Sequence, residues 1–319
     1  MTGRLRAEDL HPDLRAAFRY LPNPPIRFRW GLALLQAGSR VRRPWRIPDD
    51  MQHRFVDLGD GAGVHVLAPI GDRIRPALLW IHGGGLVIGS AAQDHPRCLG
   101  WARELDLVVV SVEHRLAPAH PYPAALDDCQ AAWRWTLAHA DELGIDPERI
   151  AIGGQSAGGG LAAALAQRIH DAGGQQPAAQ WLFCPMLDDR TAADRTLDDV
   201  GHYVWNNTSN RVGWTSYLAG PPGRQDIPSD ASPARRADLH GLPPAWIGTG
   251  SIELFHDEDQ RYAERLAAAG VPCVLDTVPG GPHGFESVLP GAPVTRAYMG
   301  RATAWLGGRL RPAATGGLT

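Results

Sequence analysis

The chain has no lysine: all 31 of its Lys/Arg positions are arginine. A phosphate-binding loop ending in Gly-Lys-Ser/Thr is thereby excluded. Cysteine is scarce, with four in 319 residues, and Cys98, Cys129, Cys184 and Cys273 stand far apart. Three lie in apolar or helical stretches, which points to buried free thiols rather than a disulfide framework. No apolar run reaches the ~20 residues needed to cross a bilayer. Met1 to Arg15 is charged and lacks the apolar h-region of a signal peptide. The net charge is only −3, with a pI near 6.5, so neither nucleic acid nor an acidic membrane is an expected partner. There is no internal repeat and no low-complexity segment. What these absences leave is a soluble, cytoplasmic enzyme. Its 44% hydrophobic content suffices for one substantial core, since a chain this long buries about three quarters of its unfolded surface.

The first fifty residues carry many arginines and prolines around Phe18, Leu21, Phe28, Trp30 and Leu34. They read as one or two short helices lying over something else. From Gln52 the texture changes. Residues 52–58 and 64–69 read as paired strands joined by the Gly59-Asp60-Gly61 turn. Short apolar runs at 77–81, 107–112, 181–184 and 245–249 have the composition of strands buried on both faces. Residues 124–140 are expected to be helical, with Leu126, Cys129, Trp133 and Leu137 at spacings of three and four. Helices are expected also at 157–170, 257–269 and 294–306, with a last strand at 271–278. This alternation predicts an α/β fold with a mainly parallel sheet covered on both sides by helices. Between the strands near Cys184 and Ala245 lies a long segment without a strand of its own, holding Trp205, Asn206, Asn207, Trp214 and Tyr217. Such an insertion reads as a lid. The expected division is a cap from 1–50 and 186–240 over a single catalytic core from 51–185 and 241–319.

Gly154-Gln155-Ser156-Ala157-Gly158 fits G-x-S-x-G. The pattern alone is weak in a chain rich in small residues. Its context is specific, because a short strand (150–153) precedes it and an alanine-rich helix follows, as a nucleophile elbow requires. The flanking glycines fit a turn so tight that a Cβ would clash with neighbouring backbone. His82-Gly83-Gly84-Gly85 follows the strand at 77–81. Bare backbone N–H groups there, at Gly83 and Gly84, can join the Ala157 N–H as an oxyanion hole. His82 itself is expected to hydrogen-bond loop backbone.

Thirteen histidines offer many bases. His95, His114 and His120 gather near the glycine loop, but no metal-ligand spacing links them, so no metal site is expected. His283 follows the last strand in Pro279-Gly280-Gly281-Pro282-His283-Gly284-Phe285, at the carboxyl edge of the sheet where catalysis belongs. The acid should lie between Ser156 and His283. Glu253 follows the strand at 245–249 and fits. Asp188 follows an earlier strand and is a rival. Asp257 is another, although Asp257-Glu258-Asp259-Gln260 reads as a capping box for the next helix.

Several segments taken together resemble the hormone-sensitive-lipase-like esterases, also called bacterial family IV carboxylesterases. They are His82–Gly85, His114-Arg115-Leu116-Ala117-Pro118, Pro121–Asp128, Gly153–Gly160, Tyr262–Leu266 and His283-Gly284-Phe285. The resemblance implies an α/β-hydrolase fold, a mostly helical cap and no cofactor. It also implies a small short-chain ester as substrate and often a homodimer. Three positions depart from the family: Gln155 where Asp is frequent, Glu253 where Asp is commoner, and Ala119 where Glu is frequent. The resulting expectation is a serine carboxylesterase with Ser156, Glu253 and His283 as triad. Trp205, Trp214 and Tyr217, with Trp30, are candidates for lining its acyl pocket. Amidase or lactonase action on the same triad is the alternative. A non-catalytic ligand receptor is the remaining one, and it is disfavoured because the gibberellin receptors that resemble this family lose the base histidine whereas this chain keeps it.

Overall fold

A computed structural model describes residues 4–39 and 46–312; the remaining parts of the ranges assigned to the cap and core lie outside it. Eight strands form one sheet: β1 (Met51–Gly59), β2 (Ala62–Pro69), β3 (Arg75–Ile81), β4 (Val108–Glu113), β5 (Ile145–Gln155), β6 (Ala179–Phe183), β7 (Ala245–Gly250) and β8 (Cys273–Val278). Their order is β1-β2-β4-β3-β5-β6-β7-β8. β2 runs antiparallel to both its neighbours, and every later pairing is parallel.

The helices are α1 (Pro12–Phe18), α2 (Arg29–Ser39), α3 (His95–Glu104), α4 (Ala124–Ala138), α5 (Ala140–Leu143), α6 (Ala157–Ala172), α7 (Asp189–Ala193), α8 (Asn207–Tyr217), α9 (His256–Ala268), α10 (Phe285–Val288) and α11 (Pro293–Arg309). Successive residues of a strand face opposite ways, and β3 shows the consequence. Ala77, Leu79 and Ile81 belong to one apolar cluster, with residues of α4, α6 and α9. Leu78 and Trp80 belong to a second, with residues of α1, α3 and α11. Each face of the sheet is thus sealed by its own helices, as two-sided apolar strands require.

Two differences from the sequence reading have local causes. β5 begins at Ile145, five residues earlier than expected, because Ile145 already pairs with Arg75; the charged stretch at 146–149 then interrupts the register, which resumes at Ile150 opposite Ala77. The expected helix over 124–140 breaks at His139, whose φ of −112° is not helical.

The N-terminal residues and the 186–240 segment touch one another and the core. Leu5 N–H donates to Val200 O at 2.8 Å, and the Asn23 amide donates to His202 O at 3.3 Å. Gln36 on α2 donates to the carbonyls of Val87 (2.9 Å) and Ala117 (3.2 Å).

Candidate active site

β5 ends at Gln155, and Ser156 stands as the N-cap of α6 with φ 56° and ψ −120°. A non-glycine residue held there is strained. The flanking glycines explain how it is held. A Cβ on Gly154 would lie 2.3 Å from Gly158 O, and one on Gly158 would lie 2.1 Å from Ile81 O. The elbow closes only with both side chains absent.

The loop after β3 lies directly against the elbow. A Cβ on Gly83 would come within 2.9 Å of Gln155 O and 3.4 Å of the Ser156 Cβ. Gly84 has φ +131° and its carbonyl accepts from Val87 and Ile88 N–H. Among the described residues, neither the Gly83 nor the Gly84 N–H finds an acceptor, and the Ala157 N–H is one of the free donors of the first turn of α6. His82 Nδ1 lies 2.8 Å from Gly83 O, and its ring stacks on His114 at 4.2 Å. Burial lowers the pKa of both imidazoles, that of His114 to about 4. His95, His114 and His120 line a cavity that contains none of Ser156, Glu253 and His283. Among the described residues no group of three metal-ligating side chains forms.

His283 arrives from the far side of the sheet. Its Nε2 lies 2.9 Å from Ser156 Oγ and its Nδ1 lies 2.8 Å from Glu253 Oε2. A carboxylate at Nδ1 keeps the proton there, which leaves Nε2 to accept from the serine hydroxyl. Phe255 meets the imidazole ring edge-on at 5.2 Å. All three polar residues are buried: Ser156 is 7%, His283 5% and Glu253 3% exposed.

The loop after β7, which carries Glu253, is held against the loop that carries His283. Gly250 packs so closely on the base loop that a Cβ there would lie 2.0 Å from Gly281 O. Gly280 N–H donates to Ser251 Oγ at 2.8 Å. Thr249 Oγ1 donates to Glu253 Oε1 at 2.9 Å, so both carboxylate oxygens have a partner.

The two rival aspartates lie elsewhere. Asp188 caps α7 by accepting from Arg190 N–H and pairs with the Arg190 guanidinium at 2.8 Å. The capping box expected at Asp257 is absent. α9 starts one residue earlier, with Phe255 as N-cap and no side-chain cap bond. That register turns Glu258 and Asp259 inward. Glu258 accepts from Leu187 N–H at 2.7 Å and from Asp188 N–H at 3.1 Å. Asp259 is fully buried beside Glu253. Burial, then the Glu253 and Glu258 charges, push its pKa well above the carboxylate range.

Of the aromatic candidates, Trp205 reaches the glycine loop. A Cβ on Gly85 would lie 2.1 Å from its ring. Trp214 and Tyr217, both on α8, are 1% and 2% exposed and meet each other edge-on at 6.1 Å. Trp30 on α2 is 65% exposed. One residue near the site had no sequence signal. His202 lies close enough to Glu253 and His283 to feel their charges, and burial holds its pKa down to about 4. It sits in an irregular loop, where neither spacing nor motif marks it.

A buried serine thus stands beyond a strand end on an α/β fold, beside glycine N–H groups and in line with a histidine and a carboxylate. Comparison with known proteins goes further. Residues 78–287 match a family model described as alpha/beta hydrolase fold. The chain is 36% identical over 286 residues to the esterase LipI of Mycobacterium tuberculosis, covering 84% of this chain and 87% of that protein. It is 38% identical over 237 residues to the carboxylesterase NlhH of the same species, covering 72% and 73%. A solved bacterial heroin esterase superposes with a TM-score of 0.85 at 36% identity, covering 96% of this chain and 99% of that one. The esterase LipW of Mycobacterium marinum superposes with a TM-score of 0.84 at 30% identity, covering 98% and 99%. The chain therefore belongs to the alpha/beta hydrolase family, in its hormone-sensitive-lipase-like branch.

Proposed function

We propose that this protein is a serine carboxylesterase acting on small esters with short acyl chains. The observation that carries the reading is the unbroken line Glu253–His283–Ser156, with links of 2.8 and 2.9 Å, ending beside the bare N–H groups of Gly83 and Gly84. Relatives named as esterases support the ester bond as target.

Ser156 Oγ attacks the ester carbonyl while His283 Nε2 takes its proton. The carbonyl oxygen becomes an oxyanion that accepts from Gly83, Gly84 and Ala157 N–H. Glu253 fixes the tautomer of His283 and stabilises the imidazolium. His283 then gives the proton to the leaving alcohol. Water, activated by the same histidine, releases the acid from the acyl-serine. Removing one oxyanion donor of this kind costs roughly 3–4 kcal/mol in comparable enzymes.

The N-terminal residues and the 186–240 segment form the cap in this reading, which rests on their mutual contacts through Val200 and His202. Trp205, against the oxyanion loop, bounds the acyl pocket, with Trp214 and Tyr217 bracing α8 behind it. The test is a panel of p-nitrophenyl esters from acetate to palmitate, run with Ser156→Ala as control. Turnover should be highest on the shortest acyl chains and absent from a folded Ser156→Ala protein. A flat profile overturns the pocket assignment, and persisting turnover in the purified variant overturns the nucleophile.

A further inference from the structure

Gln155, between the strand and the nucleophile, makes no contact required by the reaction above. It is 7% exposed, and every hydrogen-bonding atom of its side chain is engaged. Its Nε2 donates to Glu286 Oε1 and, at 2.6 Å, to Ser287 Oγ. Its Oε1 accepts from Arg97 Nη2 at 3.0 Å. Arg97 also donates to Ser287 Oγ at 2.7 Å and to Asp94 Oδ1 at 2.6 Å. The other Asp94 oxygen accepts from Trp80 Nε1 at 2.7 Å. Glu286 is 2% and Asp94 3% exposed.

Two features of this network bear on the reaction. It joins the residue before Ser156 to the first turn after His283, two points 131 and 132 residues apart in the chain. A Cβ on Gly284 would lie 3.5 Å from Gln155 Nε2, so the base loop rests on the amide itself. The network is also specific for an amide at 155. Gln155 must accept on the Arg97 side and donate on the Glu286 side, and an amide does both without taking up a proton, whereas a carboxyl group does so only when protonated. A carboxylate at 155 would still accept from Arg97, but it would face Glu286 with like charge and no proton to give. Arg97 is already paired with Asp94, and a buried carboxylate pair sharing one cation is costly.

Granting the triad proposed above, we propose that Gln155 is a positioning residue that locks the nucleophile elbow to the base loop through Glu286 and Ser287, and that positions 155 and 286 must together hold one amide and one carboxylate. Removing the match lets the base loop shift, and misalignment of the Ser156–His283 pair slows chemistry without altering substrate contacts.

The test is a four-member set: wild type, Gln155→Glu, Glu286→Gln and the double swap. Three quantities are read: kcat and KM on p-nitrophenyl acetate, the rate at which a small phosphonate inactivates Ser156, and the melting temperature. Gln155→Glu should lower kcat and the phosphonate rate about 10- to 100-fold with KM unchanged within about threefold, and the swap should recover both rates to within about threefold of wild type. The recovery is what a merely structural role would not produce. The proposal falls if the swap is no faster than Gln155→Glu, or if Gln155→Glu already matches wild type. It falls too if KM rises in place of the drop in kcat. If Gln155→Glu does not fold, the test passes to Ser287→Ala, which removes only the shared hydroxyl. A loss of about two- to fivefold in both rates supports the lock, and unchanged rates overturn it. Should wild type hydrolyse no p-nitrophenyl ester, the proposed function fails on its own, and the phosphonate rates still decide the role of Gln155.

Discussion

Around Ser156 the site is made of backbone with nothing attached. Gly83, Gly154 and Gly158 stand where any Cβ would lie 2.9 Å or less from a carbonyl oxygen. Around His283 it is made of side chains reaching across loops, with Glu253, Thr249, Phe255, Gln155 and Glu286 drawn from three separate stretches. The two halves differ in what they tolerate. The first is fixed by steric exclusion, which a single added methyl group violates. The second is fixed by paired donors and acceptors, which can be exchanged if both partners change.

Substitutions on each side can break or sharpen that contrast. The largest effect is expected from Glu253→Gln, which keeps shape and removes charge. By analogy with the equivalent change in serine proteases, turnover should fall on the order of 10⁴-fold, with little change in melting temperature. Asp257→Asn and Asp188→Asn should each keep most activity, because neither carboxylate bonds His283. If either aspartate variant is dead while Glu253→Gln retains more than about a tenth of turnover, the acid is wrongly assigned.

Gly158→Ala comes next. Its methyl group would sit 2.1 and 2.4 Å from the carbonyl oxygens of Ile81 and His82. Turnover should drop at least about a hundredfold and the melting temperature should fall, by the overpacking mechanism. Normal kinetics in this variant would mean that the backbone half is softer than its geometry implies.

Buried groups around the site titrate in opposite senses. Burial keeps His114 and His202 neutral in the fold down to about pH 4, against 6.5 when unfolded. Between those values the unfolded chain binds more protons, so stability is present above about 6.5 and is lost as pH falls toward 4. Asp259 and Glu258 are raised by burial. They hold protons in the fold that the unfolded chain releases above its ordinary carboxylate range, so their contribution declines as pH rises. The two terms oppose one another between pH 4 and 6.5, so removing a buried carboxyl should steepen the rise of the melting temperature with pH over that range. The smallest effect is expected from Asp259→Asn, which keeps the shape and removes the ionisable group. It should raise the melting temperature at neutral pH by a few degrees and leave turnover within about threefold. A lower melting temperature at pH 7 would mean that Asp259 is ionised in the fold.

The same contrast explains what could be read before any coordinates were known. Gly83, Ser156 and Gly158 were legible because a steric requirement leaves a fixed residue at a fixed spacing. Chain order and strand position singled out His283 and Glu253, since both follow strands at the carboxyl edge of one sheet. The Gln155–Glu286 link was invisible, since it joins ordinary polar residues 131 positions apart with no period to betray it. The capping box at Asp257 was misread for a related reason. Acidic residues suit a first helical turn by their interaction with its free N–H groups. Here a one-residue shift in register sends Glu258 to the N–H groups of Leu187 and Asp188 instead. The aromatics of the two flanking segments could be named but not placed: composition located Trp205, Trp214 and Trp30 there, and only packing separates the ring on the glycine loop from the two that are not.

That ring sets a direction for how this protein can change. The space beside Gly85 is filled by Trp205 from a segment 120 residues away, and the Gly85 carbonyl is itself approached by Gly213 on α8. A descendant acquiring a side chain at 85 while Trp205 is present meets an indole at 2.1 Å and is eliminated. A descendant in which Trp205 has first become smaller meets an opening. Even then the backbone at 85, with φ +59°, admits asparagine or aspartate well before any β-branched residue. Changes at position 205 must therefore precede changes at position 85, and the history of the glycine loop in such a lineage would be written at position 205 first.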